Sequence, residues 1–143
     1  IQEINVALGG TLHYRVHEQS GFNDHRMPRE GDMEHKFSER HLVVTLENGM
    51  FHQVCGQREI MVNSLHAQAV DELAPGFEIE CVSIDGVTEG IRHTTSKRFC
   101  VGVQWHAEWR FEENALSMGL WQAFGDACRD RAAERTGQKL AAE

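Results

Sequence analysis

Short apolar runs separated by turn residues dominate the middle of the chain and predict β-strands. The runs are rich in β-branched, aromatic and other apolar residues, and Gly, Asn or Asp follows several of them, as is usual for strands. The predicted strands are 41–46, 59–63, 77–84, 87–91 and 99–105. Asp85-Gly86 separates two of them and is a strong short-range signal for a hairpin. The pattern therefore predicts a sheet that contains a hairpin at residues 77–91.

The run 99–105 differs from the other predicted strands. Large apolar residues alternate with small ones along it, from Phe99 to Trp105. That pattern predicts a strand buried on both faces, and such strands lie at the centre of α/β sheets. A polar segment that contains His106 and Glu108 follows the run directly.

Helical spacing of apolar residues marks three further segments. Residues 2–8 predict a helix that Gly9-Gly10 ends, residues 50–54 predict one helical turn, and residues 111–133 predict a long closing helix. The expected core stripe of the closing helix is Leu116, Leu120, Phe124, Ala127 and Cys128. Thr11 to Tyr14 reads as extended chain.

A polar, histidine-rich segment at 17–40 contains Gly and Pro breakers and predicts a long surface loop with at most a short strand. Loops of this kind often flank a site. The whole pattern predicts one α/β domain over 1–134 and a frayed tail over 135–143. We expect this to be the C-terminal part of a domain, because the helix at 2–8 has no capping residue and the run of βα units that usually opens an α/β sheet does not precede it.

The acidic balance of the chain argues against two kinds of partner. The formal net charge is −8, from 22 acidic and 14 basic residues, whereas nucleic acids and anionic membranes are normally met by basic patches. No stretch approaches the roughly 20 consecutive apolar residues of a membrane span, and no secretory signal is recognisable. We therefore expect no nucleic-acid or membrane partner, and a cytoplasmic setting as the default.

Neither the cysteines nor the histidines form a recognisable metal motif. The four cysteines stand singly, without a C-x-x-C pair, and are interpreted as reduced structural thiols. His13 and His17 have the spacing of helical ligands, but the extended chain expected there would hold them far apart. Scattered histidines are also commoner than ligand clusters, so neither a metal nor a cofactor is expected.

His106 and Glu108 are the candidate catalytic pair. Two-residue periodicity places their side chains on one side of an extended backbone, so that the carboxylate can orient and charge-stabilise the imidazole. Such a pair serves a nucleophile, and no Ser or Cys here lies in a nucleophile context. Cys100 lies on the strand that leads to His106, roughly 20 Å away at ~3.3 Å per residue. Cys55 is the least implausible alternative, but it lacks a strand-turn-helix setting.

Four ordered motifs resemble the class I glutamine amidotransferase-like γ-glutamyl hydrolases. The motifs are QEINVALGGTL at 2–12, VNSLHAQAV at 62–70, DGVTE at 85–89 and GVQWHAE at 102–108. The resemblance is greatest to the branch of γ-glutamyl-γ-aminobutyrate hydrolases that act in putrescine degradation. It implies a flavodoxin-like class I glutamine amidotransferase fold with a mixed sheet, of which this chain is the C-terminal half.

The resemblance also implies roles for particular residues. The family's nucleophile elbow, Cys-Arg-Gly-x-Gln, would end at Gln2, so the catalytic cysteine would lie just upstream of Ile1. Gln2 would help to hold the γ-glutamyl group, and Asn63, Ser64 and His66 would lie beside the α-carboxylate and amino end of a small γ-glutamyl substrate. His106 would be the general base and Glu108 its orienting partner. Ala107 stands where the family usually has proline, which loosens the local backbone.

Simpler interpretations remain open for most of these residues. Gln2 fits an exposed helix residue, Asn63-Ser64 a turn cap, and His66 a surface side chain after a strand. Trp105 and Trp109 fit the core better than substrate stacking.

Two further functions are open at this stage: a glutaminase subunit that delivers ammonia to a synthase, and a truncated, catalytically silent binding module. We expect the isolated chain to be inactive and poorly soluble. A homodimer is compatible with all of these interpretations.

Overall fold

Seven strands form one sheet within residues 1–137, the part of the chain that the computed structural model describes. The strands are β1 (Leu12–His13), β2 (His41–Thr45), β3 (Glu59–Val62), β4 (Ala69–Val70), β5 (Phe77–Ser83), β6 (Thr88–His93) and β7 (Val101–Val103). Their order is β1-β4-β6-β5-β2-β3, and β7 pairs with β6 on the side that β4 also occupies. The α/β class is confirmed. Every pairing among the described strands is antiparallel, so the parallel pairings of a mixed sheet are not found there.

The predicted hairpin is confirmed as β5 and β6. Gly86 has a φ of 92°, which only glycine adopts without strain, and its N–H donates to the Ser83 carbonyl at 2.9 Å. The pairing of the two strands shifts register twice, since Ile79 pairs with Ile91, Cys81 with Gly90 and Val82 with Thr88. Glu80 and Glu89 are therefore the extra residues of two compensating bulges. Bulges redirect side chains, and both glutamates are buried.

Four α-helices accompany the sheet within residues 1–137: α1 (Gln2–Ala7), α2 (Met33–Lys36), α3 (Met50–Cys55) and α4 (Ala115–Thr136). α4 begins after the predicted 111, because Asn114 caps it by accepting a hydrogen bond from the Ser117 N–H at 3.0 Å, while Phe111–Glu113 forms a 3-10 turn. The polar segment 17–40 contains α2 instead of a short strand. Asp32 caps that helix by accepting from the His35 N–H at 2.9 Å.

The main core lies between the sheet and helices α3 and α4. Its buried members are Val43, Phe51, Ile60, Val62, Cys81, Trp105, Leu116 and Leu120. A second cluster joins Ala74, Phe77 and Ile91 to Ile4 of α1. A Cβ at Gly90 of β6 would contact Phe51 of the first cluster, whereas the next residue, Ile91, belongs to the second. Because successive side chains of a strand point to opposite faces, the two clusters lie on opposite sides of the sheet. The interpretation of Trp105 as a core residue is confirmed.

The expectation of a central, doubly buried strand at 99–105 is wrong for the described chain. Only Val101–Val103 is strand, its two valines are half-buried, and β6 is its only partner among residues 1–137. A surface cleft of about 360 Å³ lies beside β7 and is lined by Ile4, Phe99, Cys100, Val101, Val103, Ala107, Leu120, Trp121 and Phe124. A strand is buried at the centre of a sheet only when a further strand or helix covers its free side. The alternation of residue size within one strand does not reveal such a neighbour.

The predicted stripe of α4 is correct only in its first half. Leu116 and Leu120 are buried, whereas Phe124 is 46% exposed and Cys128 is also exposed. The predicted tail overlaps the helix, which runs to Thr136, and residues 138–143 lie outside the described part. No helix within residues 1–137 is long and apolar enough to cross a membrane.

Candidate functional site

His106 and Glu108 are in direct contact. The imidazole Nδ1 lies 2.6 Å from the Glu108 Oε1. An ionised carboxylate only accepts hydrogen bonds, so this contact places the ring hydrogen on Nδ1 and leaves the Nε2 lone pair free. The His106 side chain is 45% exposed. The pair can therefore accept a proton at Nε2 from a group that approaches from solvent.

A turn, and not an extended strand, brings the two side chains together. β7 ends at Val103, and the Trp109 N–H donates to the His106 carbonyl at 3.2 Å. The indole N–H of Trp121 donates to the Ala107 carbonyl at 3.0 Å and so ties the turn to α4. The sequence correctly predicted that the side chains share one side, but the backbone achieves it in a different way.

Asn63 holds the main chain of His106. Its Oδ1 accepts from the His106 N–H at 2.8 Å, and its Nδ2 donates to the His106 carbonyl at 3.1 Å. Asn63 directly follows β3 and is 6% exposed. This side chain is therefore a buried brace and does not cap a turn.

An aromatic pair, Phe37 and Trp109, lies beside the His106–Glu108 turn. The Phe37 ring meets His106 edge-on, with 5.3 Å between the ring centroids, and it packs against Trp109 at 4.8 Å. Both aromatic residues line a cleft of about 520 Å³, which Asn63 and Arg110 also line. The segment 17–40 thus does flank the candidate site, through Phe37.

Gln2 is the first residue of α1 and contacts the segment before β4. Its side-chain Nε2 donates to the Gln68 carbonyl at 3.0 Å, and the Gln104 side chain donates to the same oxygen at 2.7 Å. The residue is half-buried, so the expectation of a fully exposed helix position does not hold.

Ser64 and His66 belong to a buried polar cluster that the sequence did not predict. The cluster contains His25, Ser64, His66, Asp85 and Glu89, of which all but Asp85 are below 9% exposed as whole residues. The Ser64 hydroxyl donates to the His25 carbonyl at 3.0 Å. His66 is 8% exposed, so it is not a surface side chain. Asn63 is thus the member of its segment that meets His106.

Neighbouring groups shift the pKa of both carboxyls in this cluster. Burial acts to raise the pKa of Asp85, but the Asn23 N–H, the Ser83 hydroxyl and His25 hold it well below its usual range. Burial likewise acts to raise the pKa of Glu89, and the adjacent His41 and His66 outweigh it and lower that pKa. Both groups are therefore carboxylates at neutral pH.

One sequence signal could have revealed the cluster. Glu89 is a charged residue within the otherwise uncharged strand run 87–91, and charged residues are rarely buried without a partner. Its histidine partners come from three other segments, and no local pattern connects them.

The four cysteines belong to parts of the fold other than the His106–Glu108 turn. The Cys55 sulfur donates to the Phe51 carbonyl at 3.0 Å, Cys81 is fully buried in β5, Cys100 packs in the cluster around Ile91, and Cys128 is exposed on α4. None of them is among the hydrogen-bond or ring contacts of His106 described for residues 1–137.

Solved structures place the fold in the class I glutamine amidotransferases. A candidate GMP synthase component from Thermoplasma acidophilum matches 94% of this chain and 56% of its own, with a TM-score of 0.64 at 15% identity. A glutamine amidotransferase from Thermotoga maritima matches 92% of this chain and 46% of its own, with a TM-score of 0.51 at 15% identity. At such identities the likeness shows the fold alone.

The chain belongs to the Peptidase C26 family, whose model matches residues 1–108. It is also 35% identical over 136 residues to gamma-glutamyl-gamma-aminobutyrate hydrolase PuuD of Escherichia coli strain K12, a match that covers 94% of this chain and 53% of that protein. The chain therefore spans about half the length of the curated relatives it matches. Both findings confirm the resemblance that the four motifs indicated.

Proposed function

We propose that His106 and Glu108 are the base and the orienting carboxylate of a cysteine hydrolase that cleaves γ-glutamyl amides such as γ-glutamyl-γ-aminobutyrate. The observation that carries the proposal is the 2.6 Å contact between the His106 Nδ1 and the Glu108 Oε1, which leaves Nε2 free on an exposed imidazole. The name of the E. coli relative supports the substrate class.

The proposed nucleophile is a cysteine that precedes Ile1 in the complete protein. Nε2 of His106 takes the thiol proton, and the thiolate attacks the γ-carbonyl carbon of the substrate. The C–N bond breaks, the amine leaves with the proton from His106, and a γ-glutamyl thioester remains. Water then gives a proton to His106 and attacks the thioester, which releases glutamate and returns the proton to the thiol.

The remaining site residues have supporting roles in this proposal. Gln2 helps to hold the γ-glutamyl group, and the segment of Ser64 and His66 lies beside the α-carboxylate and amino end of the substrate, as the motif resemblance implies. Asn63 is a positioning residue, because its buried amide braces the main chain on both sides of the His106 side chain.

Kinetics of the protein encoded by the complete reading frame test the proposal. Glu108→Gln keeps the size of the side chain but removes its charge, and we expect it to lower kcat by at least about 100-fold with little change in KM. His106→Ala should lower kcat further. The matched control is Glu47→Gln, since Glu47 is an exposed acid that pairs with Arg58 at 3.9 Å outside this cleft; it should leave kcat unchanged.

The chemistry of the intermediate supplies a second test. Mass spectrometry of the quenched complete protein should find one γ-glutamyl group on a cysteine upstream of Ile1. A reading frame without a cysteine three positions before Ile1, or a His106→Ala variant with wild-type kcat, would refute the proposal. Ammonia release that requires a synthase partner would instead identify a glutaminase subunit, and absence of any turnover would identify a silent binding module.

A further inference from the structure

Three imidazoles surround one oxygen of the buried Glu89 carboxylate. These four residues lie outside the segment that contains His106 and Glu108. The Glu89 Oε1 lies 3.1 Å from the His41 Nε2, 3.5 Å from the His66 Nε2 and 3.8 Å from the His25 Nδ1. Glu89 is 0% exposed, and neither of its oxygens has a hydrogen-bond partner within residues 1–137. A buried carboxylate without hydrogen-bond partners is costly, and the three imidazoles are the groups that lie beside this one.

The hydrogen bonds of His66 show which ring nitrogen faces Glu89 with a lone pair. Its Nδ1 lies 2.9 Å from the Gln68 carbonyl, which can only accept. The hydrogen of a neutral His66 is therefore on Nδ1, and its Nε2 lone pair points toward Glu89. That Nε2 is buried and has no hydrogen-bond partner in the described part of the chain.

The His25 ring is also held by a hydrogen bond at the nitrogen that does not face Glu89. Its Nε2 lies 2.9 Å from the Asp85 Oδ2, so the ring hydrogen is on Nε2. Its Nδ1 lies 3.1 Å from the Ser64 Oγ, whose own hydrogen goes to the His25 carbonyl. The same Nδ1 lies 3.8 Å from the Glu89 Oε1, so this nitrogen faces both the Ser64 hydroxyl and the carboxylate.

The Nε2 lone pair of His66 and the Glu89 carboxylate face each other in a buried interior, and they repel each other unless a cation lies between them. One potential ligand atom from each of His25, His66 and Glu89 lies within 4.8 Å of the others. Ligands held at about 2.0–2.2 Å around a tetrahedral zinc ion lie about 3.3–3.6 Å apart. The separations of 3.5 and 3.8 Å from Glu89 Oε1 are close to that spacing.

We propose that His25, His66 and Glu89 form a binding site for a divalent transition-metal cation, with Zn²⁺ the best fit. Asp85 and the Gln68 carbonyl orient the two imidazoles from the opposite ring nitrogens, as groups around metal sites usually do. This departs from the sequence-based expectation of no metal, because the ligands come from segments that no spacing rule connects. The site does not depend on the proposed hydrolase function.

The site has an entry path and a structural consequence. A cleft of about 510 Å³ reaches His25, His41 and Ser64 from the surface. A bound cation would fasten the segment 17–40, through His25, to β6 and to the segment that contains Asn63. It would thus stabilise the position of Asn63, which holds the main chain of His106, without contact with the reacting atoms.

Zn²⁺ binding by the complete protein tests the site. After metal removal with a chelator and dialysis into a near-neutral buffer, the wild-type protein should take up one Zn²⁺ per chain by calorimetry and elemental analysis. His66→Gln and His25→Gln should each weaken binding by more than about 100-fold, and Asp85→Asn by about 10- to 100-fold. His13→Gln is the matched control, since His13 pairs with Asp71 at 3.4 Å outside the cluster; its affinity should not change.

Co²⁺ keeps the test informative if a variant fails to fold. The wild-type protein should give the visible absorption bands of a tetrahedral Co²⁺ centre with nitrogen and oxygen ligands, and equimolar Zn²⁺ should abolish them. It should also unfold at a higher temperature with Zn²⁺ than with Mg²⁺. Absence of Zn²⁺ uptake by the wild-type protein, or unchanged uptake in the folded His25→Gln/His66→Gln double variant, would overturn the proposal.

Discussion

Asn63 and His106 are joined by two hydrogen bonds that pair one side-chain amide with one main-chain unit. The Oδ1 of Asn63 accepts from the His106 N–H at 2.8 Å, and its Nδ2 donates to the His106 carbonyl at 3.1 Å. The residue after β3 thereby fixes a residue that follows β7, although β3 and β7 do not pair with each other. The orientation of the imidazole depends on a side chain that does not touch the ring itself.

The first prediction concerns this brace. Asn63→Asp keeps the acceptor for the His106 N–H but places a second oxygen against the His106 carbonyl, whereas Asn63→Ala removes both bonds. Loss of a buried hydrogen-bonded partner costs about 1–3 kcal/mol of folding free energy. In the complete protein we expect both variants to lower kcat about 10-fold or more while KM changes little.

Two measurements separate positioning from general loss of structure. Thermal unfolding reports the stability of each variant, and kcat is compared only at temperatures where the variants are folded. Equal losses in kcat and in substrate affinity, or a kcat that follows the folded fraction alone, would contradict a positioning role for Asn63.

The sequence predicted local relationships and missed distant ones. Asp85-Gly86 predicted its hairpin because a turn depends on a few adjacent residues. The spacing of His106 and Glu108 predicted side chains on one side, although a turn and not a strand brings them together. The bulge at Glu89 and the histidines around it depend on the pairing of whole strands, so no local pattern indicated them. Val101 and Val103 suggested a central strand, yet their neighbours in space decide burial, and residue alternation does not reveal those neighbours.

The second prediction tests the packing of α3 against α4. A Cβ added at Gly119 would lie 2.6 Å from the Val54 carbonyl oxygen, a main-chain atom that cannot move aside easily. We expect Gly119→Ala to lower the free energy of unfolding by about 1–3 kcal/mol, measured by urea denaturation.

Gly125, in the same helix, supplies the matched control. The nearest atom to its added Cβ is the flexible Arg129 Nη1 at 3.3 Å. Gly125→Ala should therefore stabilise the protein by roughly 0.5–1 kcal/mol through helix propensity. If Gly119→Ala stabilised the protein as Gly125→Ala should, the close approach of the two helices would be refuted.

The third prediction uses the difference between two thiols. Burial raises the pKa of the Cys81 thiol, so little thiolate forms in the folded protein at mildly alkaline pH. Cys128 is exposed on α4. Iodoacetamide should modify Cys128 rapidly and should reach Cys81 only as the chain unfolds, with peptide mass spectrometry assigning each site. Modification of Cys81 at the rate of Cys128 in native buffer would show that the core around β5 opens readily.

The fourth prediction concerns the apolar surface beside β7. Trp121 and Phe124 are 43% and 46% exposed, and with Phe99 they form a continuous cluster. Because contiguous exposed apolar patches promote association, we expect the isolated 143-residue chain to self-associate, and Phe124→Ser to shift it toward monomer in sedimentation velocity. Tyr14→Ser is the control, since Tyr14 is 72% exposed but lies outside this cleft. If both serine variants dissociated the chain equally, exposed aromatic area anywhere on the surface would explain the association, and the face beside β7 would have no special part in it.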